Sequence, residues 1–294
     1  MHLVKLGMRS ERRACQLVQI SRSVARYQVQ GKGEGGLRQR LKELAAQYPR
    51  YGYKLLHRLL RKEGLVINKK RTYRVYTEER LQVQRRRRRK RPGQRNFQRV
   101  KPSRPNQRWS LDFMSDQLAA GRRFRILNIV DDYTRECKGQ IVDFSISGLR
   151  LSRFLETLPD VPDEIVLDNG PELTSQALFV WAQQAGVQLR FIDPGKPIQN
   201  AFVESFNGRF RDTCLNEHWF VDLADARMTI ESWRQHYNRE RPHSALDYRT
   251  PEEFRVEWEE ACGKDGSLGA LENSLEFSTF PQARRPQPSL SEWS

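Results

Sequence analysis

The stretch that decides the fold covers residues 109–144 and reads WSLDFMSDQLAAGRRFRILNIVDDYTRECKGQIVDF. It holds three strand-like segments with no helical pattern between them, at Trp109–Met114, Phe124–Val130 and Gly139–Phe144. Two later segments, Glu164–Leu167 and Gln188–Ile192, also read as strands and alternate with helical ones. Three consecutive strands followed by alternating helices and strands predict an α/β domain, with a mixed sheet that carries helices on its faces.

The rest of the chain after residue 144 is helical or polar. Apolar residues at helical spacing predict helices at Gly148–Leu158, Ser175–Ala185, Asn200–Asn216, Asp222–Arg239 and Pro251–Ala261. From residue 263 onward Gly, Ser, Pro and polar residues dominate, which predicts a poorly ordered tail over 263–294. We therefore expect the α/β domain to cover residues 108–262.

The front of the chain predicts a separate helical part. Residues 1–30 read as a short helical element, and the glycine-rich residues 31–36 read as a flexible linker. Residues 37–80 read as three short helices, the third capped by Asn68. A basic third helix is typical of a helix-turn-helix module that enters a major groove, and a plain three-helix bundle with a basic face fits the same pattern. The candidate DNA contacts are Lys69, Lys70, Arg71 and Arg74.

Charge is distributed unevenly along the 294 residues. The formal net charge is +16, but residues 1–110 carry +26 and residues 111–294 carry −10. Such a basic half favours a polyanionic partner, foremost nucleic acid, over a merely solvated surface. A basic linker is predicted over 81–107, and its densest run is Arg85, Arg86, Arg87, Arg88, Arg89, Lys90 and Arg91. Adjacent like charges repel, so this run is predicted to be a solvated tether whose DNA binding depends steeply on salt.

Composition excludes several classes of protein. Hydrophobic residues make up 37% of the chain, and the apolar runs are far too short to span a bilayer. The first residues lack the apolar core of a signal peptide. Four cysteines lie far apart with no C-x-x-C pair, so neither a disulfide framework nor a zinc finger is predicted. We expect a cytoplasmic protein.

Three carboxylates stand out by their context. Asp112 lies within an apolar strand, where a charge is costly unless it is paired or bound to a metal. Asp168 directly follows a strand, at the edge where open α/β sheets bind ligands. Glu204 lies on a predicted helix beside an apolar stripe formed by Val203, Phe206, Phe210 and Cys214. Helical spacing puts Arg211 on the face of Glu204, and nearly so Asn200 and Asn207.

Three carboxylates on different elements suit hard cations that prefer oxygen ligands. Two Mg²⁺ or Mn²⁺ ions roughly 3.5–4 Å apart can stabilise the attacking and leaving oxygens of an in-line phosphoryl transfer. The residues alone leave an alternative open, in which Asp112 is ion-paired, Asp168 only starts a turn and Glu204 is a surface residue. In the turn, Asn169 and Gly170 are expected to shape the backbone around Asp168, with glycine supplying a conformation that other residues resist.

The motifs around these carboxylates resemble a known family. WSLDF at 109–113, VDDYTR at 130–135, LDNGPE at 167–172, NAFVESFNG at 200–208 and YNRERPHS at 237–244 occur in the same order in the second-frame transposases of bacterial insertion sequences of the IS-three family. Asp112, Asp168 and Glu204, with 35 residues between the last two, resemble the D,D,E triad of transposases and retroviral integrases.

The resemblance implies a ribonuclease-H-like integrase core with a mixed five-stranded sheet. It would place Asp112 on the first strand, Asp168 after the fourth and Glu204 on a following helix. Arg211 matches the basic residue that the family places seven positions after the glutamate, and residues 37–80 match its helix-turn-helix. The implied cofactors are two Mg²⁺ or Mn²⁺ ions, bound by the three carboxylates.

The implied function is metal-dependent DNA strand cleavage and strand transfer. The expected partners are double-stranded DNA, at the element's terminal inverted repeats and at the target, and a second copy of the chain in a dimer or larger assembly. A fusion with the protein of the upstream frame is typical of the family, and a bacterial, nucleoid-associated location follows. Two alternatives remain at this stage: a non-catalytic DNA-binding regulator of the same fold, and a nuclease acting on RNA–DNA hybrids.

Overall fold

The computed structural model describes residues 11–17, 19–26, 34–83, 101–193 and 200–265. The chain divides into two compact units, residues 1–89 and residues 90–294. The predictions made for the cationic run at 85–91 and for the tail beyond residue 265 lie outside the described residues. None of the described helices is both long and apolar enough to cross a membrane.

The described part of the N-terminal unit is helical, as predicted. Its helices are α1 (Glu11–Leu17), α2 (Arg22–Arg26), α3 (Gly35–Gln47), α4 (Tyr53–Lys62) and α5 (Lys69–Glu78). The predicted cap at Asn68 is present, because the Lys70 N–H donates to Asn68 Oδ1 at 2.9 Å. The Val24 N–H donates to Ser21 Oγ at 3.2 Å in the same way. Short polar side chains therefore begin α2 and α5.

One expectation for this unit is wrong, because two of the six residues assigned to the glycine-rich linker belong to α3. Gly35 and Gly36 form the first turn of that helix, and the Arg38 N–H donates to the Glu34 carbonyl at 2.8 Å. The Glu34 carboxylate also pairs with Arg38 and with Arg74 of α5. Tertiary ion pairs thus hold a turn that glycine content alone disfavours.

Leucine side chains from α3 and α4 form the core of the unit together with α5. Leu41, Leu56, Leu60 and Val75 are fully buried. His57 is buried among them, and its Nδ1 lies 2.8 Å from Thr72 Oγ1, which joins α4 to α5. Burial lowers the pKa of His57, and the neighbouring cations Arg58, Arg61 and Lys69 lower it further. This histidine is a packing residue between the two helices.

The C-terminal unit is built on one five-stranded sheet with the order β3-β2-β1-β4-β5. The strands are β1 (Arg108–Gln117), β2 (Arg123–Asp131), β3 (Cys137–Asp143), β4 (Glu164–Leu167) and β5 (Gln188–Phe191). The first three strands pair antiparallel, whereas β4 runs parallel to both β1 and β5. The predicted mixed sheet is confirmed.

Helices of the C-terminal unit follow the strands in the predicted order. They are α6 (Gly148–Glu156), α7 (Gln176–Ala185), α8 (Ala201–Phe210), α9 (Leu223–Arg239) and α10 (Pro251–Asp265). Helix α10 runs into the segment that was predicted to be a poorly ordered tail from residue 263, so that boundary is wrong by three residues. The helix predicted over Asn200–Asn216 is α8 continued by a π-helical segment at Arg211–Leu215.

Two hydrophobic cores cover the two faces of the sheet. One contains Phe124, Ile126 and the predicted stripe of α8, namely Val203, Phe206, Phe210 and Cys214. The other packs α6 and α7 against Trp109, Leu111, Leu127 and Ile129. Alternating residues of β1 and β2 therefore enter opposite cores, as the period of a strand requires. Trp109 is fully buried and is a core residue.

The edge strand β3 is covered by side chains of α9. Arg227 Nε donates to the Val142 carbonyl at 2.9 Å, and Arg234 Nη1 donates to the Cys137 carbonyl at 3.2 Å. Asn238 bonds both the N–H and the carbonyl of Cys137, at 2.9 and 3.0 Å. These contacts satisfy backbone groups of β3 that have no strand partner on that side.

The close approach of α6 to α7 gives a test of the fold. A Cβ at Gly148 would lie 1.7 Å from Ser175 Oγ and 2.3 Å from Ser175 Cβ, so Gly148→Ala should destabilise the unit by about 1–3 kcal/mol or more. All six tryptophans belong to the C-terminal unit, so urea unfolding followed by tryptophan fluorescence reports on it. The control Gly208→Ala adds a Cβ in open space within α8 and should not destabilise the unit. Equal midpoints for Gly148→Ala and wild type would contradict this packing.

Candidate active site

Two of the predicted carboxylates come into register on neighbouring parallel strands, Asp112 within β1 and Asp168 directly after the end of β4. In the β1–β4 pairing, Trp109 is opposite Ile165 and Ser110 is opposite Val166. The same offset continued past the strand end brings Asp168 alongside Asp112. Neighbouring strands are about 4.8 Å apart. The topology of the sheet therefore places two carboxylates side by side where β4 ends, and the carboxyl ends of parallel strands are where α/β proteins bind ligands.

Asp112 is half-buried and is held by hydrogen bonds. Its Oδ1 accepts from the Phe113 N–H at 2.9 Å, and its Oδ2 accepts from Asn207 Nδ2 at 2.7 Å. Burial raises the pKa of Asp112 to about 6, the two hydrogen bonds lower it, and the negative charges of Asp168 and Glu204 raise it. Among the described residues no cation forms a salt bridge with Asp112, and its hydrogen-bond partners are a backbone N–H and an amide.

The raised pKa has a consequence for stability. Because the folded protein binds the Asp112 proton more tightly than the unfolded chain does, this residue favours folding at low pH. That contribution is complete below the ordinary pKa of 3.8 and is lost as the pH rises through about 6. At neutral pH the folded protein therefore contains an ionised Asp112, although its burial and its like-charged neighbours disfavour the ionised form.

The turn after β4 fixes Asp168. The Gly170 N–H donates to Asp168 Oδ1 at 2.9 Å, and Asn169 Nδ2 donates to the Ile192 carbonyl at 3.0 Å, which ties the turn to the end of β5. The expected reason for glycine at position 170 is wrong, because Gly170 is absent from the residues with positive φ. The reason is space, since a Cβ there would lie 2.9 Å from Asp168 Oδ1.

A second contact anchors the same turn to β2. Glu172 forms a salt bridge with Arg125, and this guanidinium lies 4.2 Å from the centre of the Phe113 ring. The hydrogen bond from Arg125 holds the pKa of Glu172 below its usual range. Residues on β1 and β2 thus help to position a turn that belongs to β4.

Glu204 is exposed in the first turn of α8, and its charge acts on Asp112. Asn200 and Asn207, which the helical spacing puts near the face of Glu204, are by contrast both buried. Asn200 Nδ2 donates to the Leu111 carbonyl at 3.1 Å, while Asn207 bonds Asp112. Both asparagines point toward β1, since α8 packs directly on the sheet. They join Glu204 to the strand that carries Asp112.

Arg211 lies at the start of the π-helical segment and contacts the end of β1. Its Nη2 donates to the Ser115 carbonyl at 2.9 Å, and its Nη1 lies 3.8 Å from Asp116 Oδ2. The guanidinium remains partly exposed. Within the described residues, no group of three His, Cys, Asp or Glu side chains is arranged closely enough to hold a metal ion.

Sequence reasoning missed two amides in line with Asp112, the buried Asn128 and the partly buried Gln140. Asn128 on β2 is directly opposite Asp112, and Gln140 on β3 is directly opposite Asn128. Asn128 Nδ2 donates to Asn207 Oδ1 at 2.6 Å, and Gln140 Nε2 donates to Asn128 Oδ1 at 2.6 Å. The signal in the sequence was a polar residue inside the apolar run ILNIV at 126–130.

The basic residues of α5 fall into two groups. Arg71 and Arg74 approach Glu34 at 3.4 and 2.5 Å, so part of their charge is neutralised inside the unit. Lys69 and Lys70 are exposed at the first turn of the helix. The four candidate DNA contacts therefore differ in how far an acidic neighbour already neutralises their charge.

The strand order, the flanking helices and the carboxylates at the sheet edge define an integrase-type, ribonuclease-H-like catalytic core. Family models agree with this class: two integrase core domain models match residues 102–197 and 185–251, and an HTH-like domain model matches residues 34–89. The predicted fold class is confirmed.

Similar proteins are encoded by bacterial insertion elements. The chain is 50% identical to an IS407 protein of Burkholderia multivorans over 83% of this chain and 90% of that protein. It is 46% identical to an IS476 protein of Xanthomonas euvesicatoria, over 85% and 73% respectively. The IS2 transposase InsD of Escherichia coli is 26% identical over 73% and 76%. The chain belongs to the insertion-element transposases with an integrase core, and its function is polynucleotidyl transfer.

The electrostatic link between the aspartates is testable by titration. Asp168→Asn removes a charge that raises the pKa of Asp112, so this pKa should fall from about 6 toward 3.8 in metal-free protein. The ¹³C shift of the Asp112 carboxyl carbon, followed against pH, measures it. Asp163→Asn is the matched control, because Asp163 precedes β4 and pairs with Arg104. An unchanged pKa in Asp168→Asn would show that the two carboxylates are too far apart to interact.

Proposed function

We propose that this transposase cleaves and joins DNA strands with Asp112, Asp168 and Glu204 as its catalytic carboxylates. The observation that supports this best is the β1–β4 register, which brings Asp168 after β4 alongside Asp112 within β1, together with the charges of Asp168 and Glu204 that act on Asp112. In the first step a water oxygen attacks the phosphorus and the bond to the 3′-oxygen breaks. In the second step the freed 3′-hydroxyl loses its proton and its oxygen bonds to a phosphorus of the target, while the bond from that phosphorus to the target's own 3′-oxygen breaks and this oxygen leaves as a 3′-hydroxyl.

The donor set fits divalent cations. All three side chains offer oxygen ligands, and their mutual repulsion is the kind of charge excess that a cation relieves. Asp112, Asp168 and Glu204 would hold the ions, which we propose to be two Mg²⁺ or Mn²⁺. When bound, such ions activate the nucleophile and stabilise the leaving oxygen.

The residues of the chain itself orient the carboxylates. Asn207 fixes Oδ2 of Asp112, and the Gly170 N–H fixes Oδ1 of Asp168, so each aspartate keeps one defined rotamer. Asn169, through Ile192, and Asn200, through Leu111, hold the turn and the helix against the sheet. Because these contacts exist before DNA binds, the site needs little reorganisation at the moment of reaction.

DNA binding is assigned to the basic residues. We propose that the helix-turn-helix at residues 37–80 reads the terminal repeats through Lys69 and Lys70, with Arg71 and Arg74 near the backbone. The linker at 81–107 would follow the phosphates, and Arg211 would contact DNA beside the catalytic domain at 108–262. Two element ends must be joined, so a dimer or larger assembly is expected. The chain would act at the bacterial nucleoid, alone or fused to the upstream-frame protein.

Loss of one aspartate should abolish the chemistry. In a strand-transfer assay with a plasmid that carries the element and its terminal repeats, Asp168→Asn should give no product in Mg²⁺ because a catalytic carboxylate is lost. Binding to the ends should stay intact, since the substitution keeps the side-chain oxygen that accepts from Gly170.

Asp163→Asn, at the opposite end of β4, should keep wild-type activity. Product formation by Asp168→Asn would refute the proposed triad. A wild-type protein that binds ends but never nicks them in Mg²⁺ would instead favour the non-catalytic regulator.

The cationic run predicts a salt effect. Replacing Arg85–Arg91 by glutamine should flatten the dependence of log K on log salt by up to about 0.9 per lost phosphate contact. Fluorescence anisotropy with labelled end DNA over a range of KCl concentrations measures the slope. Cleavage at saturating DNA should persist, because the carboxylates are untouched. A slope equal to that of wild type would remove the run from the DNA interface.

A further inference from the structure

A polar row crosses the middle of the sheet at the level of Asp112. Gln140, Asn128 and Asp112 are directly opposite one another on β3, β2 and β1, and directly opposite residues share one face of a sheet. Asn207 of α8 lies over this row and contacts both Asn128 and Asp112. The row runs from an edge strand to the carboxylate proposed above as catalytic.

The hydrogen bonds of the row all point the same way. Gln140 donates to Asn128 at 2.6 Å, Asn128 donates to Asn207 at 2.6 Å, and Asn207 donates to Asp112 at 2.7 Å. An ionised carboxylate can only accept, so the last donor must be an N–H. Each amide must then turn its oxygen toward the preceding donor. No single amide can flip without placing two donors or two acceptors in contact.

The Gln140 end of the row shows that Asp112, at the other end, determines the direction of the hydrogen bonds. Gln140 Oε1 is buried and has no hydrogen-bond partner in the described structure. A flip of the Gln140 amide would move this oxygen against Asn128 Oδ1, which is also an acceptor. The unsatisfied acceptor therefore remains at the edge strand because the carboxylate dictates the orientation at the other end.

We propose that Asn128 and Gln140 are positioning residues for Asp112, acting through Asn207 as one directional amide relay. Asn128 is fully buried, so no substrate can touch it, and its effect on the reaction must pass through Asn207. The relay holds Asp112 Oδ2 in one position while DNA and metal bind. This inference rests on the proposed role of Asp112, whereas the relay itself is a property of the folded chain.

The test uses Gln140→Met, which removes the first donor while keeping the length of the side chain. Gln188→Met is the matched control, because it makes the same change on β5, the opposite edge strand. Side-chain amide signals of Asn128 and Asn207 and the carboxyl carbon of Asp112 are recorded by NMR in the metal-free full-length chain. Single-turnover cleavage rate and DNA affinity are measured in parallel.

The expected result is a graded response along the row. Gln140→Met should shift the signals of Asn128, Asn207 and Asp112 and should lower the cleavage rate between about 10-fold and 100-fold, with DNA affinity unchanged. Asn128→Leu should have the larger effect on both readouts. Gln188→Met should match wild type. If Asn128→Leu does not fold, Gln140→Met decides alone, because its site at the sheet edge tolerates substitution better.

Two outcomes would overturn the relay. One is Asn207 and Asp112 signals in Gln140→Met that equal those of wild type. The other is a lower melting temperature with the cleavage rate per folded molecule unchanged, which is what simple packing residues would give. Because the NMR readout needs no activity, a wild type that is inactive both alone and fused to the upstream-frame protein would refute the proposed function and leave the relay to be judged by its signals.

Discussion

A carboxylate in the interior of the sheet is the constraint on which the C-terminal unit depends. Asp112 lies between two hydrophobic cores, on a strand whose neighbours Leu111 and Trp109 are fully buried. An ionised group in such a place must be surrounded by donors. The backbone of Phe113, the amide of Asn207 and the polar residues behind it meet this need. The packing of α8 on the sheet follows, because Asn207 reaches Asp112 only from a helix lying on β1.

The same carboxylate lowers the stability of the fold when it is ionised, whereas the proposed function requires it. Burial and two like charges raise its pKa, so the folded chain would be more stable with a neutral residue at this position. A protein selected for stability alone would not keep a half-buried acid close enough to two other acids for their charges to raise its pKa. Sites of catalysis commonly retain such destabilising groups, and the rest of the fold compensates for them. Here the compensation lies in the two large cores that flank the sheet.

Local pattern predicted the elements well. The strand-like residue pattern predicted both end residues of β4 and predicted the ends of β1, β2 and β3 to within a few residues. The pattern is informative because each strand has one face in each core. Capping residues such as Ser21 and Asn68 marked helix starts for a local reason that one sequence window contains. The family resemblance predicted the fold class, which the strand order and the domain models confirm. The roles of the three carboxylates remain predictions.

Features that depend on contacts between residues far apart in the chain could not be predicted from local sequence patterns. Gly35 and Gly36 are helical because Glu34 pairs with an arginine forty residues away, which no local window reveals. Asn207 faces inward because α8 lies on the sheet, so a helical wheel with one polar face misplaced it. The π-helical segment after α8 changes the angle between successive side chains, and no residue type in the sequence predicts such a segment. Gly170 is explained by a neighbouring carboxylate and not by its own backbone angles.

The cover that α9 provides for β3 has a consequence for how copies of the chain can meet. Arg227, Arg234 and Asn238 already occupy carbonyls and an N–H along this edge. A strand from another molecule would have to displace two guanidinium groups and an amide before it could add to the sheet. This side of the sheet is thus protected from the strand addition through which exposed edges nucleate aggregates, even when several molecules are concentrated on one piece of DNA.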